Sequence, residues 1–114
     1  MGGRIIMSKK IEFEYEGTKY CLEYSRDAIK VMERQGFDLN KFMSQPMTSI
    51  DLAFEGAFLK NHRNIKATKV KDIYQALGNK NELANELLDM ISETYNSLFE
   101  DEENSGKNIE WKTV

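Results

Sequence analysis

With 114 residues, 40% of them hydrophobic and 31% charged, the chain has the composition of one small soluble domain with a single core. Its formal net charge of −3 argues against a dedicated nucleic-acid binder, and no apolar run approaches the roughly 20 residues of a membrane span. Arg4-Ile5-Ile6-Met7 runs at once into Ser8-Lys9-Lys10, which excludes a signal-peptide h-region, and the lone Cys21 cannot form an internal disulfide, so a reducing cytoplasm is expected.

Residues 1–9 carry no periodicity and are expected to be disordered, with Met7 a possible alternative start. Residues 10–99 read as the folded domain, and 100–114 as an acidic linker ending in a short apolar tail. The domain opens on a hairpin. Ile11, Phe13 and Tyr15 alternate with Glu12, Glu14 and Glu16, and Tyr20, Leu22 and Tyr24 resume the alternation after Gly17-Thr18. Glycine first in a two-residue turn suggests type II′, which sets Tyr15 opposite Tyr20, Phe13 opposite Leu22 and Ile11 opposite Tyr24. In that register Glu16 attracts Lys19 and Glu12 repels Glu23 on the other face. A two-stranded ribbon is marginal by itself, so helices or another copy must cover its aromatic face.

Everything from Ser25 to Glu100 reads helical, in four or five pieces. Ser25 is the expected N-cap of the first and Gly36 its left-handed stop, with Ala28, Ile29, Val31 and Met32 as the apolar stripe. A short helical turn through Phe42 and Met43 ends before Pro46. Thr48, with Asp51 three residues on, is expected to open a central helix reaching His62 and Arg63. Its stripe of Ile50, Ala53, Phe54, Ala57 and Phe58 is the strongest helical pattern in the chain, and Gly56 within it suggests a close helix crossing. Thr68 starts the next helix, with Val70, Ile73, Tyr74 and Leu77, and Gly78 stops it. Asn79 and Glu82 cap the last, whose apolar side runs through Leu83, Leu87, Ile91, Tyr95 and Leu98. The fold class is therefore α+β and mostly α: an N-terminal β-hairpin, four to five helices, and a flexible acidic C-terminal tail.

Glu100 to Asn108 is too polar to bury and reads as a mobile linker. Ile109-Glu110-Trp111-Lys112-Thr113-Val114 beyond it alternates like a strand, either a peptide able to dock on a sheet edge or a frayed end. Charge is segregated as well. Lys60, Arg63, Lys66, Lys69, Lys71 and Lys80 share their stretch with Asp72 alone, whereas Glu82 to Glu103 holds eight acids and no Lys or Arg. Two solvated faces attracting each other within one molecule would account for this, as would a head-to-tail contact between copies or a polarised surface for a partner.

No catalytic constellation emerges. One histidine (His62) and one cysteine (Cys21) fall short of a zinc site, and a pair between them would need His62 brought back from the far end of the central helix. A cap-like role at a helix C-terminus suits His62 better, and Cys21 reads as structural. No glycine-rich phosphate loop is present. No enzyme activity, cofactor or metal is expected. The residues nominated for partner binding are Met43 and Met47, which flank Pro46 and offer adaptable contacts; Lys60, Arg63 and Lys66, spaced by three; and Ile109 and Trp111, an apolar hook.

The order of elements then carries a resemblance. Tyr20-Cys21-Leu22-Glu23-Tyr24-Ser25-Arg26 leading into Ala28-Ile29-Lys30-Val31-Met32-Glu33-Arg34-Gln35-Gly36-Phe37-Asp38 resembles the opening of the small tail assembly chaperones of long-tailed phages and prophages of Gram-positive bacteria. Phe54-Glu55-Gly56-Ala57-Phe58-Leu59-Lys60-Asn61-His62-Arg63 is similar to that family's middle helix, and Ile73-Tyr74-Gln75-Ala76-Leu77 with the acidic last helix also fits. The resemblance implies a non-catalytic bacteriophage protein, cytoplasmic in the host and missing from the mature virion. Such a protein binds the tape measure protein and keeps it soluble while tail tube protein polymerises around it. It further implies self-association, a longer form made by frameshifting, and neither nucleic-acid nor membrane partners. The alternative is a small structural or adaptor protein of the tail-completion type that stays in the particle. A DNA-binding regulator using Lys60, Arg63 and Lys66, with Tyr74 stacking nearby, is a third reading.

Overall fold

A computed structural model describes residues 9–97 and 109–113. Two antiparallel strands, β1 (Ile11–Tyr15) and β2 (Thr18–Leu22), precede helices α1 (Arg26–Arg34), α2 (Pro46–Ala57), α3 (Ala67–Ala76) and α4 (Lys80–Ser97). A 3-10 turn at Leu39–Lys41 lies between α1 and α2. The architecture is the expected α+β, mostly helical one, and α2 packs against α1, α3 and α4.

The hairpin departs from expectation in its turn. Glu16 (φ 50°) and Gly17 (φ 80°) form the two-residue loop, and positive φ at both positions is the signature of type I′, not II′. The register moves by two: Ile11 faces Leu22, Phe13 faces Tyr20 and Tyr15 faces Thr18. A two-residue shift preserves the faces, because the side-chain period of a strand is two. The aromatic face therefore forms as expected with different partners. Phe13 and Tyr20 stack with ring centroids 5.5 Å apart. On the outer face Glu14 opposes Lys19 and Glu12 opposes Cys21, so the expected repulsion between Glu12 and Glu23 does not arise. Glutamate is a poor residue for a left-handed turn position, and its side chain meets a group remote in sequence: Lys69 Nζ lies 3.1 Å from Glu16 Oε1.

The stop of α1 follows its sequence closely. Ser25 Oγ accepts from the Ala28 amide at 3.1 Å. At the other end the Phe37 amide donates to Met32 O, the Gly36 amide donates to Glu33 O, and Gly36 takes φ 99°. Those two bonds define a Schellman motif, with Phe37 and Met32 as its buried apolar pair. The central helix begins two residues before Thr48, because Pro46 has no amide to leave unpaired and suits the first turn. It also ends early, at Ala57, and residues beyond its cap Phe58 run as turns. With Lys66 at its N-cap position, α3 begins at Ala67, one residue ahead of the expected start.

Leu22, Met32, Phe58, Ile73, Leu87 and Ile91 are the largest fully buried side chains, one from nearly every element. Each contributes about 1.5–3 kcal/mol by leaving water. Aromatic edges link the layers: Tyr20 to Phe58 at 6.0 Å, Phe58 to Phe54 at 5.1 Å, and Phe54 to Tyr74 at 5.1 Å. Tyr24, buried on α2, donates its hydroxyl to Ala53 O at 2.6 Å, and burial drives its pKa upward. The close crossing expected at Gly56 is present, since a Cβ there would fall on Met32 Sδ and Cγ.

No ion pair among the described residues joins the basic stretch to the acidic one. Among the described residues, the basic stretch reaches the hairpin through Lys69–Glu16 and Lys60–Glu23, and Glu86 and Asp89 of the acidic α4 take Lys9. Residues 1–8 and the linker 100–108, expected to be disordered and mobile, lie outside the described residues, as do Leu98 and Val114.

Candidate functional site

The connection from α1 to α2 and the first turn of α2 each display a methionine. Asp38 Oδ1 accepts from the Asn40 amide at 2.9 Å, the Gln45 amide donates to Lys41 O at 2.7 Å, and the Ser49 amide donates to Gln45 O at 3.1 Å. Phe42 is buried and meets Phe37 edge-on at 6.3 Å, which anchors the loop from beneath. On that fixed backbone Met43 is 82% exposed and Met47 81%. An unbranched thioether on a bonded loop gives an apolar surface that adapts through χ angles while its backbone stays ordered.

Among the described residues Ile109 (82% exposed) and Trp111 (84%) are the other large apolar side chains in the open, and residues 109–113 take neither helix nor strand conformation. All four apolar residues nominated from sequence are therefore exposed, at two separate places in the chain.

The three basic nominees do not line one helix side, because α2 has ended before them. Lys60 Nζ lies 3.1 Å from Glu23 Oε1. Arg63 borders a small 110 Å³ recess with Glu55, Leu59 and Ile65, and Lys66 stands at the N-cap position of α3. Tyr74, the expected stacking residue, is engaged by Phe54 and by Lys80, whose Nζ sits 5.2 Å from its ring centroid.

Sequence reasoning did not foresee a polar lock between β2 and the turns after α2. The Cys21 amide donates to His62 Nε2 at 3.0 Å, and Asn61 Nδ2 donates to Cys21 O at 3.1 Å. The Glu23 amide donates to Ala57 O at 3.1 Å. Two side chains thus stand in for a neighbouring strand and close the outer edge of β2 at Cys21, a common way of blunting a sheet edge. His62 is an acceptor here and not the helix cap expected of it. Accepting through Nε2 places its proton on Nδ1. Glu23 completes the lock: it is only 6% exposed, with Oε1 on Lys60 and Oε2 2.8 Å from Asn61 Nδ2. The Asn61 hydrogen bond and the Lys60 charge hold its carboxyl below the ordinary carboxylate range, against the opposing effect of burial. Cys21 Sγ lies 3.8 Å from Glu23 Oε2, and partial burial together with that carboxylate pushes the thiol pKa up. A thiol held protonated is a weak nucleophile. Among the described residues no group of three His, Cys, Asp or Glu side chains is placed to hold a metal ion.

A third feature is a groove of 240 Å³ between α2 and α3, floored by Phe54, Val70 and Tyr74 and rimmed by Asp51 and Glu55 on one side and Lys71 on the other. It is smaller than the about 300–1,000 Å³ usual for small-molecule sites. The i, i+4 spacing of Asp51 and Glu55 was the sequence signal for one rim; nothing local announced that Lys71 would face it.

Fold and surfaces together define a small α+β protein that presents apolar side chains on ordered and irregular backbone alike. The chain matches the family described as Domain of unknown function (DUF5055) over residues 7–114, and it belongs to that family. No curated protein and no solved structure is significantly similar to it. Among the described residues no helix is long and apolar enough to cross a membrane.

Proposed function

We propose that this protein is a non-catalytic tail assembly chaperone of a phage or prophage, acting in the host cytoplasm on the tape measure protein and absent from the finished particle. The observation that carries the reading is the pair Met43 and Met47, both more than four-fifths exposed, the first on a connection fixed by backbone hydrogen bonds and by Phe42 and the second in the first turn of α2. A holdase must cover apolar helical stripes and release them. Two flexible thioethers on a rigid platform give contact without demanding one partner geometry. Net negative charge keeps the loaded complex dispersed. The resemblance in element order to tail assembly chaperones supplies the client.

Co-expression with the tape measure protein from the same phage or prophage genome tests this. The wild-type chain is expected to move that client into the soluble fraction, and Met43→Glu with Met47→Glu to lower the yield severalfold at unchanged thermal stability. An insoluble client in the presence of wild-type protein overturns the reading. So does recovery of the chain from purified particles, which would mark a structural or adaptor component.

A further inference from the structure

We propose that the groove between α2 and α3 is the seat for Trp111 of a second copy of this chain. Its floor of Phe54, Val70 and Tyr74 is aromatic and aliphatic, and its 240 Å³ suits one large side chain better than a metabolite. Its rims carry opposite charge: Asp51 and Glu55 on α2, Lys71 on α3. The 109–113 segment carries the matching order, because Trp111 stands between Glu110 and Lys112. Seating the indole lets Lys112 meet the acidic rim and Glu110 meet Lys71. Among the described residues none of these five charges has an ion-pair partner within its own chain.

Trp111 stands 84% exposed on its own chain, outside its own groove, and so is left to enter the groove of another copy. Of the two sheet edges that an alternating peptide could join, that of β2 is closed at Cys21 by Asn61 and His62. A tryptophan entering an apolar slot between charged rims has the usual anatomy of an interface hot spot. The contact joins different surfaces of the two copies, so it either closes by exchange or ring formation or extends as a chain.

Trp111 is the one tryptophan in the sequence, so native emission reports its surroundings directly. Sedimentation and tryptophan emission of the full chain, followed from below 1 µM to about 100 µM, test the proposal; that range covers the usual span of weak self-association. Emission is expected to shift to shorter wavelength in step with the gain in mass. Lys71→Glu should weaken association roughly three- to tenfold, as a reversed rim charge does, and Lys71→Glu with Glu110→Lys should restore it. Trp111→Ala should weaken it by more than about tenfold. Three results overturn the proposal: a monomer at every concentration, association with Trp111 emission still that of an exposed indole, or a blue-shifted indole in a monomer, which would place it in its own groove. Failure of the charge-exchange pair to restore association by a well-folded protein overturns it too. The variants at Lys71, Glu110 and Trp111 leave Met43 and Met47 in place, so loss of association and loss of client binding are read separately.

Discussion

Glu23 spends its charge on holding two elements together. Its carboxylate is shared by Lys60 and Asn61, and its amide donates to the last residue of α2. Because its folded pKa lies below the ordinary 4.5, the carboxylate contributes stability that is complete above that value. The contribution is lost as pH falls through the folded value, where the protonated acid no longer draws Lys60. Glu23→Gln should cost about 1–2 kcal/mol at pH 7 and flatten the loss of stability below about pH 4.5. Urea midpoints of the two proteins at pH 7 and pH 4 check this, and an equally steep acid limb in the variant would contradict it. Tyr95 shows the same kind of local cause: burial, then its bond to Glu33 Oε2 at 2.7 Å, moves its pKa up to about 12. It stays a neutral donor across the range in which that experiment is read.

At the scale of elements the sensitive point is the crossing of α1 and α2. Met32 is fully buried and its thioether occupies the space that any side chain at Gly56 would need. Gly56→Ala gains about 1 kcal/mol in helix propensity but forces Met32 from its place in a packed core, so a net loss of about 1–2 kcal/mol is expected. Met32→Ala in the same chain should recover part of the loss caused by Gly56→Ala, because it empties the contested space. A thermal melt of the four proteins of that cycle gives the coupling, and strict additivity would contradict it. This crossing was legible in sequence, since glycine inside the strongest apolar stripe gives up helix propensity, and a second helix pressed against it offsets that loss. The Ser25 cap, the Gly36 stop and the exposure of Met43 and Met47 were legible because each depends on neighbours a few residues away. What escaped depends on contacts remote in sequence. The hairpin turned one residue early, at Glu16-Gly17, where Lys69 meets Glu16 from α3, and α2 stopped short where Asn61 and His62 turn back to Cys21. Periodicity carried the helical reading through Lys60 to Arg63, and so placed three basic residues on one helix face that does not exist.

Over the whole molecule, one core drawn from hairpin and helices leaves two kinds of apolar surface outside it. Met43 sits just before α2 and Met47 in its first turn, both on hydrogen-bonded backbone, whereas Ile109 and Trp111 sit on irregular backbone beyond α4. Their separation suits two tasks, gripping a client and meeting another copy, and neither task calls on a reactive group. The polar lock at Cys21 keeps the hairpin from offering its β2 edge to other chains, so apolar side chains rather than backbone hydrogen bonds are left to make contacts there. Hydrogen exchange of the full chain, with and without a soluble segment of the tape measure protein, tests the central claim most directly. Slowed exchange across residues 41–50 on adding the client is the expected result. Unchanged exchange there, with protection confined to other elements or found nowhere, would contradict it.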